Sequence, residues 1–106
     1  SKSLILGPSG QNIYPEEIED LLNAQPYIAE SLVIEREGKL VALVYPDAEA
    51  MKQNKISCET LLKIIHETRK QINQQLPAYS QIARIEIHDE EFEKTPKRSI
   101  KRFLYQ

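Results

Sequence analysis

The chain has 106 residues, the length of one ordinary domain, with room for a modest core but not for two independent ones. Apolar residues at 41% and charged residues at 28% suit a soluble globular fold and exclude a disordered tail. A net charge of -2 excludes charge-driven nucleic-acid binding by the whole domain, and the longest apolar run, Leu40 to Tyr45, is far short of the roughly 20 residues that span a bilayer. No secretory signal pattern precedes it, and the single cysteine, Cys58, excludes an internal disulfide framework, so a reducing cytoplasm is the expected setting.

In chain order, Leu4 to Leu6 and Asn12 to Tyr14 flank Gly7-Pro8-Ser9-Gly10, a hairpin-like arrangement with a turn-forming centre. Pro15-Glu16-Glu17 then opens a helix, with proline at the first helical position and acids at the positive end of the dipole. Ile18, Leu21 and Leu22 give that helix one apolar stripe, and Pro26 limits its length. Ser31 to Arg36 and Lys39 to Tyr45 read as two paired central strands joined by a tight turn at Glu37-Gly38.

Asp47 caps a short helical turn through about Met51, and Ser57 caps the main helix. From Cys58 to Leu76 the stripe of that helix is Leu61, Leu62, Ile65, Ile72 and Leu76, with Pro77 as the stop. Ala83, Ile85 and Ile87 alternate with Arg84, Glu86 and His88, the pattern of a third strand with one buried face. The fold class expected is α+β: a small mixed sheet of about three strands packed by two main helices, with an N-terminal β-hairpin.

Few side chains form a catalytic pattern by themselves. Cys58 has no base near it in sequence and reads as packing, while His66 and His88 lack ligand spacing, so no metal site is expected. Gly7 and Gly10 do not make a phosphate loop, because GxxxxGK[ST] is absent. The basic tail, Lys94 to Arg102, reads equally as an anion-binding segment or as a solvated terminus.

Two separated segments carry a resemblance. Lys2 to Glu19 ends in a Gly-x-x-Ile-x-Pro-x-Glu-Ile-Glu pattern, Gly10 to Glu19, and Phe92 to Arg102 is similar to a terminal Pro-Lys-Thr-x-x-Gly-Lys-Ile-x-Arg motif. Together they resemble the C-terminal domain of acyl-CoA synthetases, especially long-chain fatty-acid-CoA ligases, within the AMP-binding, adenylate-forming enzymes. The resemblance implies that the chain is a single mobile domain of a larger ligase whose N-terminal adenylation domain carries the ATP and carboxylic-acid sites. It implies ATP, Mg2+ and CoA for the parent enzyme and none bound to this segment, which is expected to be inactive alone. In such enzymes acyl-adenylate forms first and CoA thiol attacks it after the small domain rotates.

By the same resemblance Lys2 occupies the hinge, and Gly10 lies on a hairpin lining the pantetheine tunnel. Ser99 stands where the family's adenylation lysine belongs, and a short neutral side chain cannot supply that cation's stabilisation of the transition state. Three readings stay open: Lys97 or Lys101 substitutes, adenylation has been lost, or serine is not the natural residue at 99. The alternative to a ligase domain is a non-catalytic binding module that docks through its basic tail. The chain opens as Ser1-Lys2-Ser3 without methionine, at the place where the resembled hinge would join a larger domain, which favours the ligase reading.

Overall fold

The computed structural model describes residues 3–106. The expected hairpin forms from β1 (Ile5–Leu6) and β2 (Asn12–Ile13), paired antiparallel. Gly7 and Gly10 close it through Gly10 N–H to the Gly7 carbonyl at 3.0 Å, with Gly10 at φ +80, a conformation natural only to glycine. Helix α1 (Pro15–Asn23) follows with Pro15 at its first turn and buries Ile18 and Leu22.

Strand β3 (Ile28–Arg36) and strand β4 (Lys39–Pro46) pair antiparallel through the Glu37-Gly38 turn, both residues of which have positive φ. β3 starts three residues earlier than the apolar run beginning at Ser31 suggests. Asp47 caps the short α2 (Ala48–Gln53) by accepting from Ala50 N–H, and Ser57 caps α3 (Cys58–Asn73) by accepting from Thr60 N–H. A 3-10 turn at Ala78–Ser80 leads into β5 (Ile82–Ile87), which lies parallel to β4. The sheet order is β3-β4-β5, so only β4 is central and β3 is an edge strand, contrary to the expectation of two central strands.

The sheet is covered on both faces. On one, Val33, Ala42, Val44 and Ile82 meet Ile18 and Leu22 of α1 and Leu61, Ile65 and Ile72 of α3. On the other, Leu32, Ile34, Val41 and Leu43 meet Phe92, Ile100 and Tyr105 from the C-terminal stretch. Double coverage is why the centres of both strands, Leu32 to Ile34 and Leu40 to Val44, are unbroken apolar runs.

Three details of the periodic reading are corrected. Leu62 is exposed and Thr68 is buried, because α3 turns its 61, 65, 68, 72 row to the sheet. α3 ends at Asn73, and Leu76 packs on the core from the turns that follow. Ala83 is exposed because the β4–β5 register jumps from Leu40↔Ile82 to Val41↔Arg84, a bulge that leaves Ala83 unpaired and hands the buried place to Ile82.

Candidate functional site

After β5 the chain crosses the sheet and then folds back on itself. Lys94 and Ile100 form an antiparallel bridge, Lys101 N–H donates to the Glu93 carbonyl and Thr95 N–H to that of Ser99, each at 2.8 Å. Arg98 N–H closes the turn on the Thr95 carbonyl at 2.8 Å, and Ser99 N–H reaches Thr95 Oγ1 at 3.3 Å. Arg98 holds φ 66, and in the terminal motif its place belongs to glycine. The turn therefore keeps a glycine's conformation while carrying a cation at its tip. Pro96, Lys97, Arg98 and Ser99 are exposed.

Both arms of this hairpin are fastened to the domain. On the first, Lys94 pairs with Glu30 of β3 and donates to the Phe92 carbonyl at 3.1 Å, while Phe92 N–H donates to Glu30 Oε1 at 3.2 Å. On the second, Arg102 Nη1 donates to Glu19 Oε2 at 2.8 Å and Nη2 to Oε1 at 2.5 Å, a two-pronged bond to α1. Glu19 Oε2 also accepts Val33 N–H at 2.8 Å, and Arg102 Nη2 lies 3.5 Å from Glu16 Oε2. Only 8% of the Glu19 side chain and 19% of the Arg102 side chain remain exposed.

The charges of this cluster respond to burial and to each other. Burial pushes the Glu19 carboxyl above its ordinary range, with Arg102 and Val33 N–H opposing. Burial also works against the Arg102 cation, but its bonds to Glu19 and its attraction to both glutamates outweigh that and raise it. Glu16 feels burial first, yet Ser3 N–H, its own backbone N–H and Arg102 together hold it below its ordinary value. The two-pronged geometry is that of an ionised pair, since arginine keeps its proton.

Between the hairpin, α1 and β3 runs a groove of ≈ 550 Å³ whose lining includes Ser3, Asn23, Ser31, Arg98, Ser99 and Arg102. Ser99 lines this groove, and Lys101 is half-buried just beyond Ile100, which packs on the core from the same arm. Lys97 sits at the exposed tip. Gly10 is at the exposed end of the N-terminal hairpin, where a Cβ would meet nothing within 4 Å. Lys2 lies outside the described residues.

The tail is thus neither a solvated terminus nor wholly free to bind anions. Of its cations, Lys94 and Arg102 are spent on internal ion pairs. Sequence reasoning missed Glu16, Glu19 and Glu30 as their partners. A signal was there: Glu19 and Arg102 are the closing residues of the two motifs, 83 positions apart, and they bind each other.

Cys58 is an exposed thiol, and His66 is exposed on α3. His88 stacks on Phe92 with ring centroids 4.7 Å apart and meets Tyr105 edge-on at 5.6 Å, a packing role. Among the described residues no group of three His, Cys, Asp or Glu side chains is placed to hold a metal ion. No helix among them is long and apolar enough to cross a membrane.

The fold is shared with known structures. The adenylation domain of a carboxylate reductase from Mycobacterium chelonae matches with a TM-score of 0.78 and 17% identity over 95% of this chain and 17% of that one. An acyl-CoA synthetase from Brucella canis matches with a TM-score of 0.70 and 25% identity over 96% of this chain and 18% of that one. A fatty acyl CoA synthetase from Mycobacterium tuberculosis matches with a TM-score of 0.62 and 24% identity over 95% and 18%. The chain therefore spans under a fifth of the length of these proteins. No curated protein matches it. The model of the AMP-binding enzyme C-terminal domain matches residues 2–105. The chain belongs to the family of AMP-binding enzyme C-terminal domains, the small domain of adenylate-forming enzymes.

Proposed function

We propose that the chain is the mobile C-terminal domain of an ATP-dependent acid–thiol ligase, a fatty-acid-CoA ligase acting on long acyl chains in the cytoplasm. The observation that carries this reading is the family match across residues 2–105 together with two turns, Gly7–Gly10 and Thr95–Ser99, that lie within the two motif segments and expose their tips. In this reading an N-terminal adenylation domain of the same protein supplies the ATP, Mg2+ and carboxylate sites, and Lys2 lies at the hinge. The 95–99 turn then faces the nucleotide during adenylation, and the Gly10 turn faces the CoA arm afterwards. A bare glycine suits that contact because backbone can approach a thin ligand closely.

Ser99 cannot act as a cation, so adenylation relies on Lys97 or Lys101, both of which extend long stems from the same hairpin. The neutral residue at 99 also favours a second reading, a domain from a protein that has lost adenylation and keeps a binding role. The 106-residue domain is expected to show no turnover alone, since the proposed ATP and acyl sites belong to the other domain.

The test is carboxylate-dependent pyrophosphate release from ATP by the full-length protein, natural against Ser99→Lys. A gain of about two orders of magnitude with lysine supports a ligase whose adenylation site is weakened at 99. Equal activity supports Lys97 or Lys101 as the cation. No release from either protein across fatty acids of several lengths would reject the ligase reading in favour of binding.

A further inference from the structure

Four parts of the molecule converge on one guanidinium. Arg102 binds Glu19 of α1 through both terminal nitrogens, and the same carboxylate takes Val33 N–H of the edge strand β3. The fourth part is the N-terminal lead-in: Ser3 N–H donates at 2.9 Å to Glu16 Oε2, the oxygen that lies 3.5 Å from Arg102 Nη2. Arg102 is only two residues beyond Ile100, where the second arm of the 95–99 hairpin begins.

We propose that Arg102 is a positioning residue: with Glu16 and Glu19 it forms a clasp that fixes the hairpin tip and the N-terminal lead-in to the same point of α1, so that the two move as one rigid body. The hairpin contacts its own chain at only a few backbone bonds, and its tip is wholly exposed, so its direction must be set at its base. On one arm Lys94 and Phe92 N–H both meet the Glu30 carboxylate, and an arm held at one residue of β3 can still pivot about it. Arg102 adds a planar, two-pronged bond on the other arm, and two legs on different elements, β3 and α1, remove the rotation. The Glu16 carboxylate extends the second leg to Ser3. An ion pair serving only stability would not need to share an oxygen with the backbone of the lead-in.

The clasp stands on the contacts themselves. Its catalytic consequence, a held position for Ser99, Lys97 and Lys101 during adenylation, rests on the ligase reading.

Amide hydrogen exchange on the full-length protein tests it, in Arg102→Met, Arg102→Lys and Glu16→Ala. In Arg102→Met, exchange at Thr95, Lys101 and Ser3 is expected to rise by about tenfold or more while Val41 and Val44 of β4 stay within about twofold. Arg102→Lys, which keeps the charge but not the fork, should fall between. Glu16→Ala, which removes the acceptor of Ser3 N–H, should free Ser3 preferentially, and that milder change serves if Arg102→Met fails to fold.

A rise spread evenly over hairpin and β4 would mean that Arg102 only stabilises the domain, and would overturn the proposal. So would unchanged exchange at Thr95 and Lys101, or a Ser3 amide indifferent to both Arg102→Met and Glu16→Ala. In the same proteins kcat for adenylate formation should fall about tenfold or more in Arg102→Met, with KM for ATP little changed. A natural protein that forms no adenylate would sink the ligase reading, while the exchange pattern still decides the clasp.

Discussion

The two faces of the sheet are covered by different means. The helix-covered face is closed by α1 and α3, which bring a row of apolar side chains at helical spacing and leave Leu22 and Ile72 with no exposure at all. The tail-covered face is closed by an irregular stretch whose apolar contribution is Phe92, Ile100 and Tyr105, and whose remaining hold comes from Lys94 on Glu30 and Arg102 on Glu19. A helix repeats its contacts every turn and stays put by area alone. An irregular segment has no such repeat, so each crossing point needs its own anchor. Beyond the tail, the outer part of the second face is charged: Ile85 and Ile87 point to the helices, which turns Arg84 and Glu86 outward, where Glu86 meets Arg84 at 2.7 Å and Arg36 at 3.2 Å.

The largest loss should follow a deletion under the helices. Leu22→Ala should cost about 4 kcal/mol, because a fully buried leucine is removed from a site walled by regular structure that collapses poorly. Urea unfolding should show one cooperative transition, shifted to lower denaturant.

On the other face, Phe92→Ala should cost about 3 kcal/mol, somewhat less because a tail can settle onto the sheet where a helix cannot. It should also loosen the Tyr105 contact selectively, which fluorescence of a tyrosine probe and amide exchange would separate from global unfolding. If Phe92→Ala instead loses stability uniformly across α1, α3 and the tail, the two faces are one cooperative unit and the distinction drawn above fails.

The smallest effect belongs to the charged outer patch. The hydrogen bond from Arg84, opposed by slight burial and helped by attraction to Arg84 and Arg36, holds Glu86 below its ordinary value. A carboxyl depressed in the folded state stabilises above the unfolded value of 4.5 and loses that contribution as pH falls through the lower folded value. With 38% of its side chain exposed, solvent screening leaves about 0.5 kcal/mol or less. Comparing urea midpoints at pH 6 and pH 3 for the natural chain and Glu86→Gln, the acid-induced loss should be smaller in the variant. An equal loss in both would locate acid sensitivity elsewhere.

The helix-covered face is the part that is legible in the amino-acid sequence. Pro15, Ser57 and Asp47 mark helix starts, and Ile18, Leu22, Leu61, Ile65 and Ile72 show the period, because local backbone chemistry and local burial coincide there. The errors arise where a neighbour decides. Leu62 and Thr68 exchange places because the rotation of α3 is set by the sheet, and Ala83 is exposed because a bulge is a property of two strands together. The tail was hardest to read, since composition shows Lys94 and Arg102 as charges but cannot show that Glu30 and Glu19 wait 64 and 83 positions upstream. The candidate site is visible through motif resemblance at Ser99 and Gly10, whereas the clasp that would steady it emerges only once the chain has folded.

The late position of the tail in the chain also has a kinetic consequence. Synthesis proceeds from the N-terminus, so β3, β4, β5 and both main helices are complete before Phe92 is made. At about 5–20 residues per second, the side of the sheet bearing Leu32, Ile34, Val41 and Leu43 therefore stays bare for roughly one to four seconds on each nascent chain. During that interval the half-built domain presents a flat oily surface beside the open edge of β3, the kind of surface that chaperones bind and that neighbouring chains stick to. Truncation ahead of Phe92 would make this interval permanent.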